Sequence, residues 1–196
     1  MTSPDRTSSD SRKAGLVAVV GLVGVMWVSE IVDTVLGGRL DGLGIEPRQV
    51  DGLTGVPLAP FLHGGFGHLI SNTVPFLVLG ALIALSGLAR LLVVTAVVAV
   101  VGGLGTWLVA PSGTVHIGAS GLVFGFAAYL VARGVFDRRL HYLATGLVVA
   151  FVYGTTLLLG LVQRPGVSWQ GHLFGAVGGL VAAWLLARRR SQASAR

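Results

Sequence analysis

The sequence predicts an all-α membrane protein, with six transmembrane helices and a long external loop between the first two. Three observations carry that prediction. Of 196 residues, 53% are apolar or aromatic and only 11% are charged, where a soluble domain carries about 25%. Mean hydropathy is +0.81, more apolar surface than a soluble fold of this length can hide. The apolar residues also gather into six runs, and about 20 such residues cross a hydrocarbon layer of about 30 Å.

Each element follows from its own residues. The polar segment 1–13 reads as a disordered cytoplasmic N-terminus. The first span, Gly15 to Leu36, is followed by no small-residue cleavage site and is read as retained. Residues 37–60 hold Asp41, Glu46, Asp51 and several glycines and read as an irregular external loop. The second span runs from Phe66 to Leu85 and the third, from Leu91 to Ala110, is the cleanest apolar run. The fourth spans Ile117 to Ala132, the fifth Leu140 to Val162 and the sixth Gly171 to Ala187. Residues 14–187 thus form one membrane domain, and 188–196 form a basic cytoplasmic tail suited to anionic lipid.

Charge sets the expected orientation. Net charge is +6, from fourteen basic and eight acidic residues. Six spans put both termini on one side, together with eleven of the fourteen Lys and Arg; Arg39, Arg48 and Arg164 fall on the other. The positive-inside rule makes both termini cytoplasmic and accounts for the basic balance without nucleic acid. Glu30 and Asp33, in the outer third of the first span, are expected to reach the interface and interact with Arg39 or Arg48, with a functional role as the alternative because acids inside a membrane are costly.

Polar residues then appear where lipid should be. The second span opens with FLHGGFGHLISN, the fourth with HIGASGLVFG and the sixth with WQGHLFGAVGG. At 1.5 Å per residue, Ser120 stands about 20 Å from Arg133, His172 about 24 Å from Arg188 and Asn72 about 21 Å from Ser86. The three residues are expected to share one shallow layer, about 10 Å below the outer surface for Ser120. Gly121 and Gly125 on the fourth span, and Gly171, Gly175 and Gly179 on the sixth, recur every four residues and would let the helices approach closely. A serine hydroxyl needs a base to become a nucleophile, and His172 could serve Ser120. The Ser120 N–H, Asn72 and His68 could stabilise an oxyanion. No carboxylate lies at that depth on these spans, which leaves a dyad whose histidine is oriented by packing. With no cysteine in the chain, neither a thiol nucleophile nor a thiolate metal site is available.

The sequence here resembles the rhomboid family of intramembrane serine proteases. His63, His68 and Asn72 match its His-x4-His-x3-Asn pattern, Gly118 to Gly121 its Gly-x-Ser-Gly, and His172, Gly175 and Gly179 its His-x2-Gly-x3-Gly. The resemblance implies a rhomboid-like bundle with Ser120 as nucleophile, His172 as base, and His68 and Asn72 as oxyanion stabilisers. It also implies that Gly118 shapes the loop beside the serine and that His63 supports a water-filled entrance. Phe124 stands where many relatives have a tyrosine against the catalytic histidine, and the external loop lacks the common Trp-Arg pair. The implied partners are transmembrane protein substrates and the lipid bilayer, with no cofactor, metal or nucleic acid; no feature specifies an oligomeric state. The Ala, Gly, Val and Arg bias suggests a bacterial source, so the expected location is a bacterial plasma membrane, with the active site opening to the side opposite the termini.

Other readings stay open on sequence. They are an inactive rhomboid-like protein that binds membrane clients, a metal-dependent enzyme or metal transporter using His63, His68 and His172, and a small channel or transporter. No HExxH motif and no inverted repeat is present. His116, in the short external loop before Ser120, reads as an ordinary interfacial residue, with a place at the rim of the entrance as the alternative, and His141 is assigned no function. Trp27, Trp107, Trp169 and Trp184 read as interfacial anchors or packing residues.

Overall fold

The computed structural model describes residues 4–194, with side chains from 8 to 188. Six long helices follow in order: α1 Pro4–Val35, α2 Phe66–Ala84, α3 Leu88–Val109, α4 Ser120–Asp137, α5 Leu140–Gly160 and α6 Trp169–Ser194. All six are long and apolar enough to cross a membrane, and no strand occurs among the described residues. The expected all-α six-span membrane bundle is therefore observed.

The helices hold together through small residues, because lipid tails are as apolar as leucine and supply no hydrophobic drive for helix association. α4 is the central helix. Its Phe126, Ala127 and Tyr129 are fully inaccessible, and it packs most extensively on α6 and then on α5. A Cβ on Gly175 or Gly179 would strike the carbonyl oxygens of Gly121 and Gly125 respectively, so the glycine pattern read from the sequence is the α4–α6 seam. α5 lies at the periphery, with Leu147, Phe151 and Leu158 exposed to the lipid side.

Several expectations are corrected. The first helix begins at Pro4, inside the segment expected to be disordered. Proline suits a first helical position, and Ser11 Oγ accepts the Leu88 N–H at 3.2 Å, tying this turn to the start of α3. The part of that segment before residue 4 lies outside the described residues. At the other end the helix continues through most of the basic tail to Ser194; the side chains of Arg189, Arg190 and Arg196 lie outside the described ones.

The external loop is not irregular. It winds through short helical turns at Asp41–Leu43, Asp51–Thr54, Gly55–Leu58 and Ala59–Phe61. Its close packing requires Gly44 and Gly55, since a Cβ on Gly55 would run into the Gly44 carbonyl group. Ile45 exchanges two backbone hydrogen bonds with His116, each 3.0 Å, and the Trp107 indole donates to Gln49 O at 2.7 Å. Both anchor the loop over the bundle.

The acids of α1 do not meet the loop arginines. Asp33 Oδ1 accepts the Leu40 N–H at 2.6 Å, while Arg48 donates to Ser112 Oγ and Leu108 O. Glu30 and Asp33 are instead buried close to Asp41, whose carboxyl is held above the usual aspartate range by burial and then by Asp33. Arg133, taken as a cytoplasmic charge, is also buried. It reaches Asp137 at 3.3 Å and Ser86 Oγ at 2.8 Å, with Tyr142 beneath its guanidinium. The charge is paired inside the bundle through Nε and one terminal nitrogen, while the other, Nη2, is buried without a partner; α4 runs on to Asp137, past the expected end.

Candidate active site

Ser120 is the first residue of α4, not a residue within it. The expected helical start at Ile117 falls in a loop, because Gly118 has φ +113 and breaks any helix there. The first turn of a helix presents backbone N–H groups without intrahelical partners and a positive dipole end. Ser120 therefore stands where negative charge is favoured. Gly118 N donates to Ala59 O at 2.8 Å, which fixes this loop to the external segment.

His172, near the start of α6, brings Nε2 to 2.9 Å from Ser120 Oγ. Its Nδ1 lies 2.7 Å from the carbonyl oxygen of Gly160. Because a carbonyl can only accept, Nδ1 carries the proton and Nε2 faces the serine as an acceptor. Phe124 stacks on the ring at 4.1 Å between centroids and 9° between planes. Packing alone was expected to orient this histidine; a hydrogen bond does so as well. Gly160 ends α5, where helix carbonyls lack internal partners, and nothing in its residue type announces the role. A Cβ there would collide with Phe124 and lie 3.1 Å from His172 Nδ1.

The other predicted residues surround this pair. His68 is partly buried against Gly118, and a Cβ on that glycine would sit 2.8 Å from His68 Nε2. Buried Asn72 donates from Nδ2 to His68 O at 3.0 Å, which leaves its second N–H free for another acceptor. Pro75 supplies no N–H to the Ser71 carbonyl, and Ser71, Asn72 and Pro75 all face the same cleft. Gly121 and Gly175 form the close α4–α6 approach directly behind the pair.

His63 lies beneath the surface. It is 1% exposed and its Nε2 accepts the Ala119 N–H at 3.3 Å, bracing the residue before the serine. Burial, and then the nearby His68, push its pKa down to about 4, against a smaller upward pull from the Phe61 backbone. Among the described residues, no three His, Asp or Glu side chains are placed to share a metal ion. His63, His68 and His172 are thus not gathered as the metal-dependent reading requires.

A cleft of about 880 Å³ opens over Ser120 and His172. Its walls include His68 and Asn72 from α2, and Thr156, Leu159 and Gly160 from α5. Two further groups complete it, of which Ser168 was not singled out in the sequence. His116, read as an ordinary interfacial residue, contacts Thr114 Oγ1 at 2.8 Å and Ser168 Oγ at 2.7 Å. Ser168, three residues before Gly171, accepts that residue's N–H at 3.2 Å as the cap of α6; a serine just before an apolar run is a legible capping signal. Trp27 donates to Thr73 Oγ1 in the packing between α1 and α2, and His141 merely packs on Tyr142.

The Rhomboid domain family matches residues 52–189, from the middle of the external loop to the last turns of α6. The chain belongs to the rhomboid family. It is 48% identical to an uncharacterized protein of Mycobacterium tuberculosis, Rv1337, over 92% of this chain and 79% of that one. It is 30% identical to a Bacillus subtilis protein named "Putative rhomboid protease YdcA", over 67% of this chain and 66% of that one. It is 33% identical to Rhomboid-like protein 11, chloroplastic, of Arabidopsis thaliana, over 66% of this chain and 51% of that one. The rhomboid match includes α2, α4 and α6, the three helices that carry His68, Asn72, Ser120 and His172.

Proposed function

We propose that this rhomboid is an intramembrane serine endopeptidase that cuts membrane-anchored proteins in or near their transmembrane segments. The observation that carries the reading is the 2.9 Å contact between Ser120 Oγ and His172 Nε2, with the opposite ring nitrogen held by Gly160 O. That geometry suits general-base activation of a serine.

In this reading Ser120 Oγ bonds to the scissile carbonyl carbon as His172 Nε2 takes its proton. The carbonyl oxygen becomes an oxyanion, stabilised by the Ser120 N–H at the start of α4, the free N–H of Asn72 and the His68 ring. His172 then gives its proton to the leaving amine as the C–N bond breaks. A water deprotonated by His172 hydrolyses the acyl-enzyme and restores the serine. The Gly160 carbonyl takes the orienting place that a carboxylate holds in a triad. A helical peptide must unwind before its carbonyl can be attacked, and the cleft between α2 and α5 offers such a segment polar surroundings.

The distribution of basic residues supports, by the positive-inside rule, a bacterial plasma-membrane protein with both termini in the cytoplasm and the cleft opening outward. A fluorophosphonate that reacts with activated serines tests the chemistry. It is expected to label the wild type and not Ser120→Ala, and Ser120→Ala and His172→Ala should each abolish cleavage of a membrane substrate in liposomes. Cleavage by either variant at the wild-type rate would end this reading. Cleavage that persists in Ser120→Ala but stops with a chelator would transfer it to a metal.

A further inference from the structure

Ser120 and His172 are one of two serine–histidine contacts between the same two segments. His116, four residues before Ser120, brings Nδ1 to 2.7 Å from Oγ of Ser168, four residues before His172. Both pairs are 52 residues apart in the chain, so they stand as two rungs between two parallel stretches.

The hydrogens of the second rung can be placed. Thr114 Oγ1 donates to Pro111 O at 2.6 Å, which leaves its lone pairs to accept from His116 Nε2. Ser168 Oγ accepts from Gly171 N and so has its own hydrogen to give to His116 Nδ1. Every contact is used when His116 is neutral with its proton on Nε2. Burial favours that neutral form, holding the His116 pKa below the usual histidine range.

The rung is anchored at both ends. The backbone of His116 is pinned by its two hydrogen bonds to Ile45 of the external segment. Ser168 caps α6 with its side chain, and its carbonyl accepts the backbone N–H of His172 itself at 3.1 Å. His116, Ser120 and Ser168 also line both the wide cleft and a smaller cavity of about 50 Å³ behind it, so they form part of the wall between the two.

We propose that His116 and Ser168 are a positioning pair, which sets the start of α6, and with it His172, against Ser120. Its kinetic consequence rests on the protease reading; the contact itself does not. His116→Phe keeps the ring and removes both nitrogens, whereas His116→Asn returns an amide oxygen near the place of Nδ1. In liposome cleavage, His116→Phe should lower kcat about tenfold with KM unchanged, as expected for a misplaced catalytic pair. Fluorophosphonate labelling should slow in parallel, and His116→Asn should recover most of the loss. Ser168→Ala should lower kcat similarly, and adding His116→Phe to it should cost nothing more.

Wild-type kcat in His116→Phe would overturn the proposal. So would equal losses in the Phe and Asn variants, or losses that multiply in the double variant. A readout free of activity accompanies these: nitrogen-15 spectra of the histidine rings in micelles should show His116 protonated on Nε2 and bare on Nδ1. A proton on Nδ1 at neutral pH overturns the proposal by itself. If the wild type neither cleaves nor labels, the protease reading falls, and the ring spectra still decide the contact.

Discussion

The α4–α6 seam offers a graded test of how tightly the site depends on helix spacing. In Gly175→Ala the new Cβ would lie 2.9 Å from Gly121 C and 3.1 Å from Gly121 Cα, and closer still to the Gly121 oxygen. Ordinary contact begins near 3.4 Å, and these are backbone atoms that cannot swing aside. The helices must therefore part by at least about half an ångström, and by more to relieve the oxygen. Ser120 adjoins Gly121, and its hydrogen bond to His172 starts at 2.9 Å. The same displacement carries that bond to the edge of hydrogen-bonding range. A misplacement of about 1 Å costs about 100-fold in rate, and overpacking costs about 1–3 kcal/mol in stability. We expect Gly175→Ala to lose about 100-fold in kcat while remaining folded. Gly154→Ala, where a Cβ meets nothing within 4 Å, serves as the control and should be unchanged. The assay is cleavage in liposomes, with thermal unfolding in detergent to confirm folding. Gly175→Ala turning over at the wild-type rate would refute the reasoning, because the seam would then not set the distance between serine and histidine.

Three further outcomes follow from the site. Asn72→Ala should lower kcat by roughly 10- to 1000-fold, with KM little changed, if its free N–H meets the oxyanion; an effect confined to KM would remove it from that role. Gly160→Ala should slow fluorophosphonate labelling by about 10-fold or more, because its Cβ displaces the ring face that Phe124 and the carbonyl hold; unchanged labelling would dismiss the carbonyl as the orienting group. His63 has a folded pKa of about 4 against 6.5 in the unfolded chain, so the folded state resists its proton. The stability this contributes is complete above about pH 6.5 and is lost as pH falls toward 4, amounting to about 3 kcal/mol. The unfolding midpoint should fall with acid over that window, and less steeply in His63→Gln; equal slopes would refute the assignment.

Much of this was legible in advance. The ends of α2 and α5 fell within two residues of those read from hydropathy, since span length is set by the bilayer and lipid tolerates few charges. The pairing of Ser120 with His172 was foreseeable because glycine spacing marked which faces meet. The buried fate of Glu30, Asp33 and Arg133 was not, since a charge read one residue at a time does not reveal which neighbours will enclose it.

The sequence by itself determined that this chain lives in a membrane, which six segments cross it, and which rhomboid motifs sit on three of them. Those are local properties: hydropathy, spacing and residue chemistry along one segment. Only the tertiary structure decided that Gly160 offers its carbonyl to His172, that His63 braces Ala119, and that His116 meets Ser168. A backbone carbonyl has no side-chain identity to read, and contacts across 52 residues depend on how far each helix is rotated and how closely it packs.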